Sequence, residues 1–113
     1  MTTPNDRRSG RERRRAARST VGREIQWENH AGHHRGILSD VSVTGCFVLT
    51  SGIHGVGERV FVNLPLTDGS SVKMPAEVVN SVTDIGFASR FVELTDAKKE
   101  FLERFVELHA EQP

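Results

Sequence analysis

A carboxylate, a hydroxyl and a glycine lie at a short, fixed spacing near the middle of this chain. Asp40, Ser42 and Gly45 occupy the run DVSVTG, at the end of a strand-like stretch. A carboxylate accepts from paired N–H donors such as the Watson–Crick edge of guanine, and a hydroxyl adds a further bond. Because side chains alternate along a strand, we expect Asp40 and Ser42 on one face and Val41 on the other.

The same residue types also form ordinary turns, so a second interpretation of the motif stays open. Asp and Ser often bond nearby backbone groups, and a glycine closes the loop. Gly45 is expected where the chain needs a positive φ or a close approach of the backbone to another group. The motif therefore predicts either a simple turn or one half of a ligand site.

An arginine cluster precedes this motif. Arg13, Arg14 and Arg18 stand in the string RRRAAR. Guanidinium groups bind phosphate with two parallel hydrogen bonds, stack on flat rings and pair with the O6/N7 edge of guanine. The arginine-rich N-terminal arm that contains this cluster and the DVSVTG motif together indicate a site for an anionic, guanine-bearing ligand. By itself, such an arm is more typical of a solvated tail or a non-specific polyanion binder.

The order and spacing of the two motifs resemble those of the PilZ domain, the bacterial receptor for cyclic di-GMP. R-R-x-x-x-R is followed roughly twenty residues later by D-x-S-x-x-G. The run GFASRFVEL over residues 86–94 is similar to the last barrel strand of that family, and the helix after it matches the family's usual ending. The resemblance covers roughly residues 11–108. One departure is Thr44-Gly45, where many members have Gly-Gly.

The resemblance implies a binding site and a mechanism. Arg14 and Arg18 would take phosphates and guanine, while Asp40 and Ser42 would hold a guanine on the barrel surface and Gly45 would let the backbone come close. The implied ligand-binding set is Arg13, Arg14, Arg18, Asp40, Ser42 and Gly45, with Arg90 as a further candidate. In this family, a basic residue just before R-x-x-x-R goes with an intercalated ligand dimer. Arg13 holds that place, so we expect two ligand molecules per chain.

The net charge of zero hides a strong asymmetry along the chain. Residues 1–23 carry eight arginines and two acids, a net charge of +6, and the rest of the chain carries −6. The arm has almost nothing apolar to bury, so we expect it to be flexible until an anionic ligand gives it a fixed partner. We predict a disordered tail over residues 1–10, a single domain over 11–109 and a disordered end over 110–113.

The body is predicted to be mainly β. Alternating apolar residues and turn signals predict six strands, near residues 21–29, 35–42, 45–50, 58–65, 72–82 and 85–93. Asp68-Gly69 is the strongest turn signal, and Pro75 suggests an edge strand or a bulge. Such strands favour a small barrel or sandwich. The resemblance selects a six-stranded antiparallel β-barrel with a C-terminal α-helix and a flexible arginine-rich N-terminal arm.

The C-terminal helix has a start signal and an apolar face. Thr95 is the expected N-cap, and Asp96 is favourable in the first turn. An apolar stripe then follows at spacings of three and four: Phe101, Leu102, Phe105, Val106 and Leu108. We expect this stripe to close one end of the barrel, with dimerisation as the alternative.

Two further groups of residues have competing interpretations. His30, His33 and His34 could hold zinc, but they lack a supporting Cys or carboxylate, so a solvated hairpin loop is favoured. Trp27 alternates with Ile25 and is expected in the core, although a tryptophan near a nucleotide could also stack on it.

The remaining sequence features limit the class of protein. The chain shows no long apolar run and no signal peptide, so we expect no membrane insertion and a cytoplasmic location. The single Cys46 lies among apolar residues, which predicts a buried, inert thiol.

The sequence contains no catalytic motif, so we expect neither enzymatic activity nor a cofactor. The partners expected are cyclic di-GMP and a downstream protein. The alternative function is nucleic-acid binding by the basic arm, which the acidic body and the absence of tyrosine argue against.

Overall fold

Six strands form a closed antiparallel barrel, followed by one helix. The computed structural model describes residues 18–110. The elements are β1 Ser19–Asn29, β2 Gly32–Val41, β3 Gly45–Leu49, β4 Arg59–Pro65, β5 Ser71–Val82, β6 Gly86–Phe91 and α1 Asp96–Ala110. The strand order is β1-β2-β3-β6-β5-β4, and β4 closes the barrel onto β1. The predicted fold is therefore confirmed. The predictions for the arm over residues 1–17 and for residues 111–113 lie outside the described residues.

Alternation along the strands fills the barrel interior. The largest fully buried side chains include Trp27, Leu38, Leu64, Met74 and Phe87. Leu102 and Phe105 of α1 join this core, so the helix packs its apolar stripe against the barrel as expected. Leu108, at the end of the stripe, stays 52% exposed. The predicted stripe is thus buried at its centre and open at its last turn.

The local signals for turns and caps are confirmed. Asp68 accepts bonds from the Ser70 amide at 3.0 Å and the Ser70 hydroxyl at 2.6 Å, which fixes the turn between β4 and β5. The Thr95 hydroxyl accepts from the Lys98 amide at 3.2 Å, so Thr95 caps α1. Both are contacts between near neighbours, which is why residue type alone predicts them.

Pro75 does not mark an edge strand or a bulge. It lies inside β5, opposite Phe61 of β4, in a barrel without a free edge. The Pro75 carbonyl accepts from the Val92 amide, just beyond the end of β6. The nitrogen and the carbonyl of one strand residue point to the same side, so the Pro75 nitrogen also faces the end of β6. The missing N–H therefore lies where the β5–β6 ladder has already ended. The register shift in β5 lies elsewhere, between Val78 and Asn80.

Two irregularities face each other on β1 and β2, close to the DVSVTG motif. The β1–β2 register shifts between Thr20 and Arg23, where Gly22 has a φ of 69°. On β2, Ser39 is the extra residue between Leu38 and Asp40 in the ladder with β3. A bulge changes the side to which the following side chains point. Strict alternation from the buried Leu38 would turn Asp40 inward, and the bulge at Ser39 lets it face outward.

Within residues 18–110, α1 is the only helix, and it is neither long nor apolar enough to span a bilayer.

Candidate functional site

Arg18 and Asp40 meet on the outer surface of the barrel. An Arg18 Nη1 lies 2.8 Å from Asp40 Oδ1, and the two side chains are 44% and 28% exposed. Arg18 immediately precedes β1, and Asp40 is opposite Thr20 in the β1–β2 ladder, so strand pairing brings the two together. The last arginine of one motif thus contacts the first residue of the other. Arg13 and Arg14 lie outside the described residues.

Ser42 is part of the turn between β2 and β3, and its side chain is fully buried. Its hydroxyl lies 2.9 Å from Thr44 Oγ1 and accepts from the amides of Thr44 at 3.2 Å and Gly45 at 3.3 Å. The Ser42 amide donates to the Gly45 carbonyl at 2.8 Å. Asp40 and Ser42 therefore do not share an exposed face, because β2 ends at Val41 and the chain turns there. Ser42 holds the loop beside Asp40.

Gly45 is required by a close approach of two strands, and its φ is not positive. A Cβ at Gly45 would collide with the Ser89 carbonyl oxygen of β6. The close backbone approach expected at this position is thus present, and the approaching group belongs to the barrel itself. A neighbouring strand leaves no room for a side chain here.

Arg90 lies next to Gly45 on the barrel surface. The two are partners in the β3–β6 ladder, and Arg90 pairs with Glu77 of β5 at 2.7 Å. Its side chain is 59% exposed. Arg90 therefore pairs with a neighbouring acid and also lies close to the DVSVTG turn.

Phe47 is a surface residue of this region that the motifs do not include. It is opposite Asp40 on β2 and opposite Ala88 on β6, and it is half-buried between the buried Cys46 and Val48. Alternation along β3 is the signal that could have found it, because Phe47 takes the outward position. Together with Asp40 it forms an outer face that combines an aromatic ring with a carboxylate.

Cys46 is buried beneath this face. Burial raises the pKa of its thiol from 9.0 to about 11, although a contact of 3.5 Å with the Ser89 hydroxyl opposes the shift. The thiol is therefore protonated at neutral pH, which agrees with the expected inert cysteine.

The three histidines are not together in a loop. Only His30 lies in the β1–β2 turn, while His33 and His34 are in β2 and point to opposite faces. His34 stacks on Trp27 with 4.4 Å between ring centroids and bonds Asn29 Oδ1 at 2.9 Å. Among the described residues, no group of three His, Cys, Asp or Glu side chains is arranged to hold a metal ion. Trp27 itself is 1% exposed and belongs to the core.

The comparisons with known proteins agree on one family. A family model described as the PilZ domain matches residues 12–108. No curated protein matches the chain significantly. Several solved structures share the fold.

The PilZ domain of Escherichia coli YcgR, solved with c-di-GMP, matches with a TM-score of 0.69 and 20% identity, over 86% of this chain and 91% of that one. The PilZ domain of CeSA from a cellulose-synthesizing bacterium matches with a TM-score of 0.65 and 21% identity, over 81% of this chain and 96% of that one. Borreliella burgdorferi PlzA in complex with c-di-GMP matches with a TM-score of 0.64 and 9% identity, over 91% of this chain and 45% of that one.

Proposed function

Since this chain belongs to the PilZ domain family, we propose that it is a receptor for cyclic di-GMP and not an enzyme. The observation that carries the proposal is the Arg18–Asp40 contact of 2.8 Å, which brings together the two sequence motifs on the barrel surface. Two of the similar structures, those of YcgR and PlzA, contain c-di-GMP.

The proposed site uses each motif for a different part of the ligand. Arg14 and Arg18 bind phosphates and guanine, because guanidinium groups suit both. Asp40 accepts from the guanine N–H donors, while Ser42 and Gly45 fix the turn beside it. Arg13 supports the binding of an intercalated ligand dimer, and Arg90 provides a further contact to the ligand.

The Arg18–Asp40 ion pair gives this mechanism a defined starting point. Both side chains are partly exposed, so the pair contributes about 0–1 kcal/mol to the free energy of unfolding. A ligand that offers phosphate to Arg18 and N–H donors to Asp40 can replace the pair at little cost. The ligand favours the state in which the N-terminal arm covers the barrel only because it binds that state more tightly.

The output of the receptor is proposed to be a new surface. The part of the arm that precedes β1 becomes fixed over the barrel when ligand binds, and a downstream protein recognises the ordered arm together with the nucleotide. The proposed location is the cytoplasm.

Titration calorimetry tests the proposal. Cyclic di-GMP is titrated beside GMP and a short single-stranded oligonucleotide at two salt concentrations. We expect binding of two cyclic di-GMP molecules per chain and much weaker binding of GMP. Salt-sensitive binding of the oligonucleotide without binding of cyclic di-GMP would instead support a nucleic-acid-binding arm.

A further inference from the structure

A groove with an aromatic floor and a basic rim lies between α1, the start of β1 and the β4–β5 turn. Its volume is about 410 Å³, within the range of ligand pockets. None of its lining residues belongs to the proposed cyclic di-GMP site. The apolar lining residues are Pro65, Leu66, Phe101, Phe105 and Leu108, and the basic ones are Arg23, Arg104 and His109.

The floor of the groove is continuous along the helix. The ring centroids of Phe101 and Phe105 are 5.7 Å apart, and those of Phe105 and His109 are 4.3 Å apart. Leu108 is 52% exposed, and it is the only large hydrophobic residue of α1 that is exposed. Phe101 and Leu108 offer an apolar surface about two helical turns long, with the largely buried Phe105 between them.

The rim has cationic groups that are free to bind an anion. Arg23 and Arg104 form no salt bridge with any residue of the described range 18–110. His109 donates from Nδ1 to the Phe105 carbonyl at 2.9 Å, which holds the ring over the floor and leaves Nε2 available. The acids of the helix do not line the groove.

We propose that this groove binds an acidic amphipathic segment of a partner protein. The apolar floor fits leucine or phenylalanine side chains, and the guanidinium groups of Arg23 and Arg104 on the rim match more than one carboxylate. A fatty acid has only one carboxylate, and a nucleic acid would leave the floor unfilled. Charge complementarity thus favours the acidic segment.

The test uses a defined peptide. A fluorescein-labelled helical peptide of about 14 residues, or roughly four turns, carries leucines on one face and glutamates on the other. One control peptide replaces the glutamates by lysine, and another replaces the leucines by serine. Fluorescence polarisation measures affinity, and amide chemical shifts map the contact. We expect only the first peptide to bind, with shifts centred on Leu66, Arg104 and Leu108.

Three variants connect the binding to the groove. Arg104→Glu and Leu108→Ser are both exposed changes and should each weaken peptide binding about tenfold. Lys99→Glu is the matched control, because it makes the same charge change on an exposed, non-lining position of the same helix. Unchanged circular dichroism verifies the fold of each variant.

Several results would overturn the proposal. They are a failure of the first peptide to bind, equal binding of either control peptide, an equal loss in Lys99→Glu, or shifts centred elsewhere. Tighter binding of laurate than of the peptide would assign the groove to lipids. A dimer in analytical ultracentrifugation that Leu108→Ser dissociates would assign it to self-association.

Discussion

Asp40 is the residue at which guanine recognition and plain electrostatics make opposite predictions. Asp40→Ala removes an acceptor for guanine N–H donors, but it also removes repulsion from phosphate. We therefore expect the variant to bind cyclic di-GMP at least about tenfold more weakly, as the loss of a charge-assisted bond costs about 1.5–3 kcal/mol. Equal or tighter binding in calorimetry would mean that the site attracts only the phosphates.

Cyclic di-AMP is the matching ligand for this test. Adenine lacks the paired N1–H and N2–H₂ donors, so the wild type should bind it far more weakly. The free energy of unfolding should change by less than about 1 kcal/mol in Asp40→Ala, because the carboxylate is partly exposed. Equal affinities of the wild type for the two dinucleotides would exclude base recognition.

The arginines of the arm should not be equivalent. Arg14→Ala and Arg18→Ala should each weaken cyclic di-GMP binding by about 1.5–3 kcal/mol, the range for charge-assisted hydrogen bonds. Arg7→Ala removes the same charge outside the motif and should have a much smaller effect. Calorimetry at constant salt measures all three, and three equal losses would indicate a non-specific polyanion binder.

We expect Ser42 to contribute mainly to the stability of the fold and less to ligand affinity. Ser42→Ala leaves the amides of Thr44 and Gly45 without the acceptor they have in the turn, at a cost of about 1–3 kcal/mol in the free energy of unfolding. Urea denaturation measures this cost. Ligand affinity should fall less than in Asp40→Ala. A variant that keeps its stability but loses its affinity would show that the hydroxyl contacts the ligand directly.

Strands β3 and β6 meet at Gly45, where their backbones approach closely. Gly45→Ala would place a Cβ against the Ser89 carbonyl, so the strands must separate. We expect destabilisation of about 1–3 kcal/mol, the usual cost of overpacking. Gly55→Ala is the control, since a Cβ there meets nothing within 4 Å. Equal melting temperatures of the two variants would contradict the role assigned to Gly45.

The bulge at Ser39 shows how an element determines a site. One extra residue in β2 moves Asp40 from the core side to the surface, next to Arg18 and opposite Phe47. The site therefore depends on the register of β2 against both neighbouring strands. Conversely, the two neighbours fix the bulge, because closing the barrel leaves β2 no free edge along which to shift.

For the whole molecule, the buried thiol makes stability depend on alkaline pH. The pKa of Cys46 is about 11 in the fold and 9.0 ordinarily, because burial disfavours the thiolate. The folded state thus keeps a proton that the unfolded state releases. This contribution to stability is complete below pH 9.0 and is lost as pH rises through about 11.

Chemical denaturation between pH 7 and 10.5 measures the effect. Relative to Cys46→Ala, the wild type should lose at most about 1.4 kcal/mol of unfolding free energy per pH unit above pH 9. The variant shares every other titrating group, so the difference in slope isolates the thiol. Parallel curves, or rapid reaction of the native thiol with Ellman's reagent at pH 8, would contradict its burial.

The sequence alone determined the features that depend on neighbouring residues. Alternation predicted all six strands, Asp68-Gly69 predicted a turn, and Thr95 predicted the start of α1, because each involves contacts over only a few residues. The spacing of the arginines and of DVSVTG pointed to the PilZ family, which the family match over residues 12–108 confirms.

The contacts of the motif residues follow from the folded chain and not from local sequence. The burial of Ser42, the approach of Ser89 to Gly45, and the Arg18–Asp40 pair all depend on strands that are distant in sequence. The outward position of Asp40 depends on the bulge at Ser39, which no residue type in the sequence predicts. The basic groove beside α1 likewise exists only where three separate segments meet. Such features follow from register and barrel closure, which local sequence patterns do not specify.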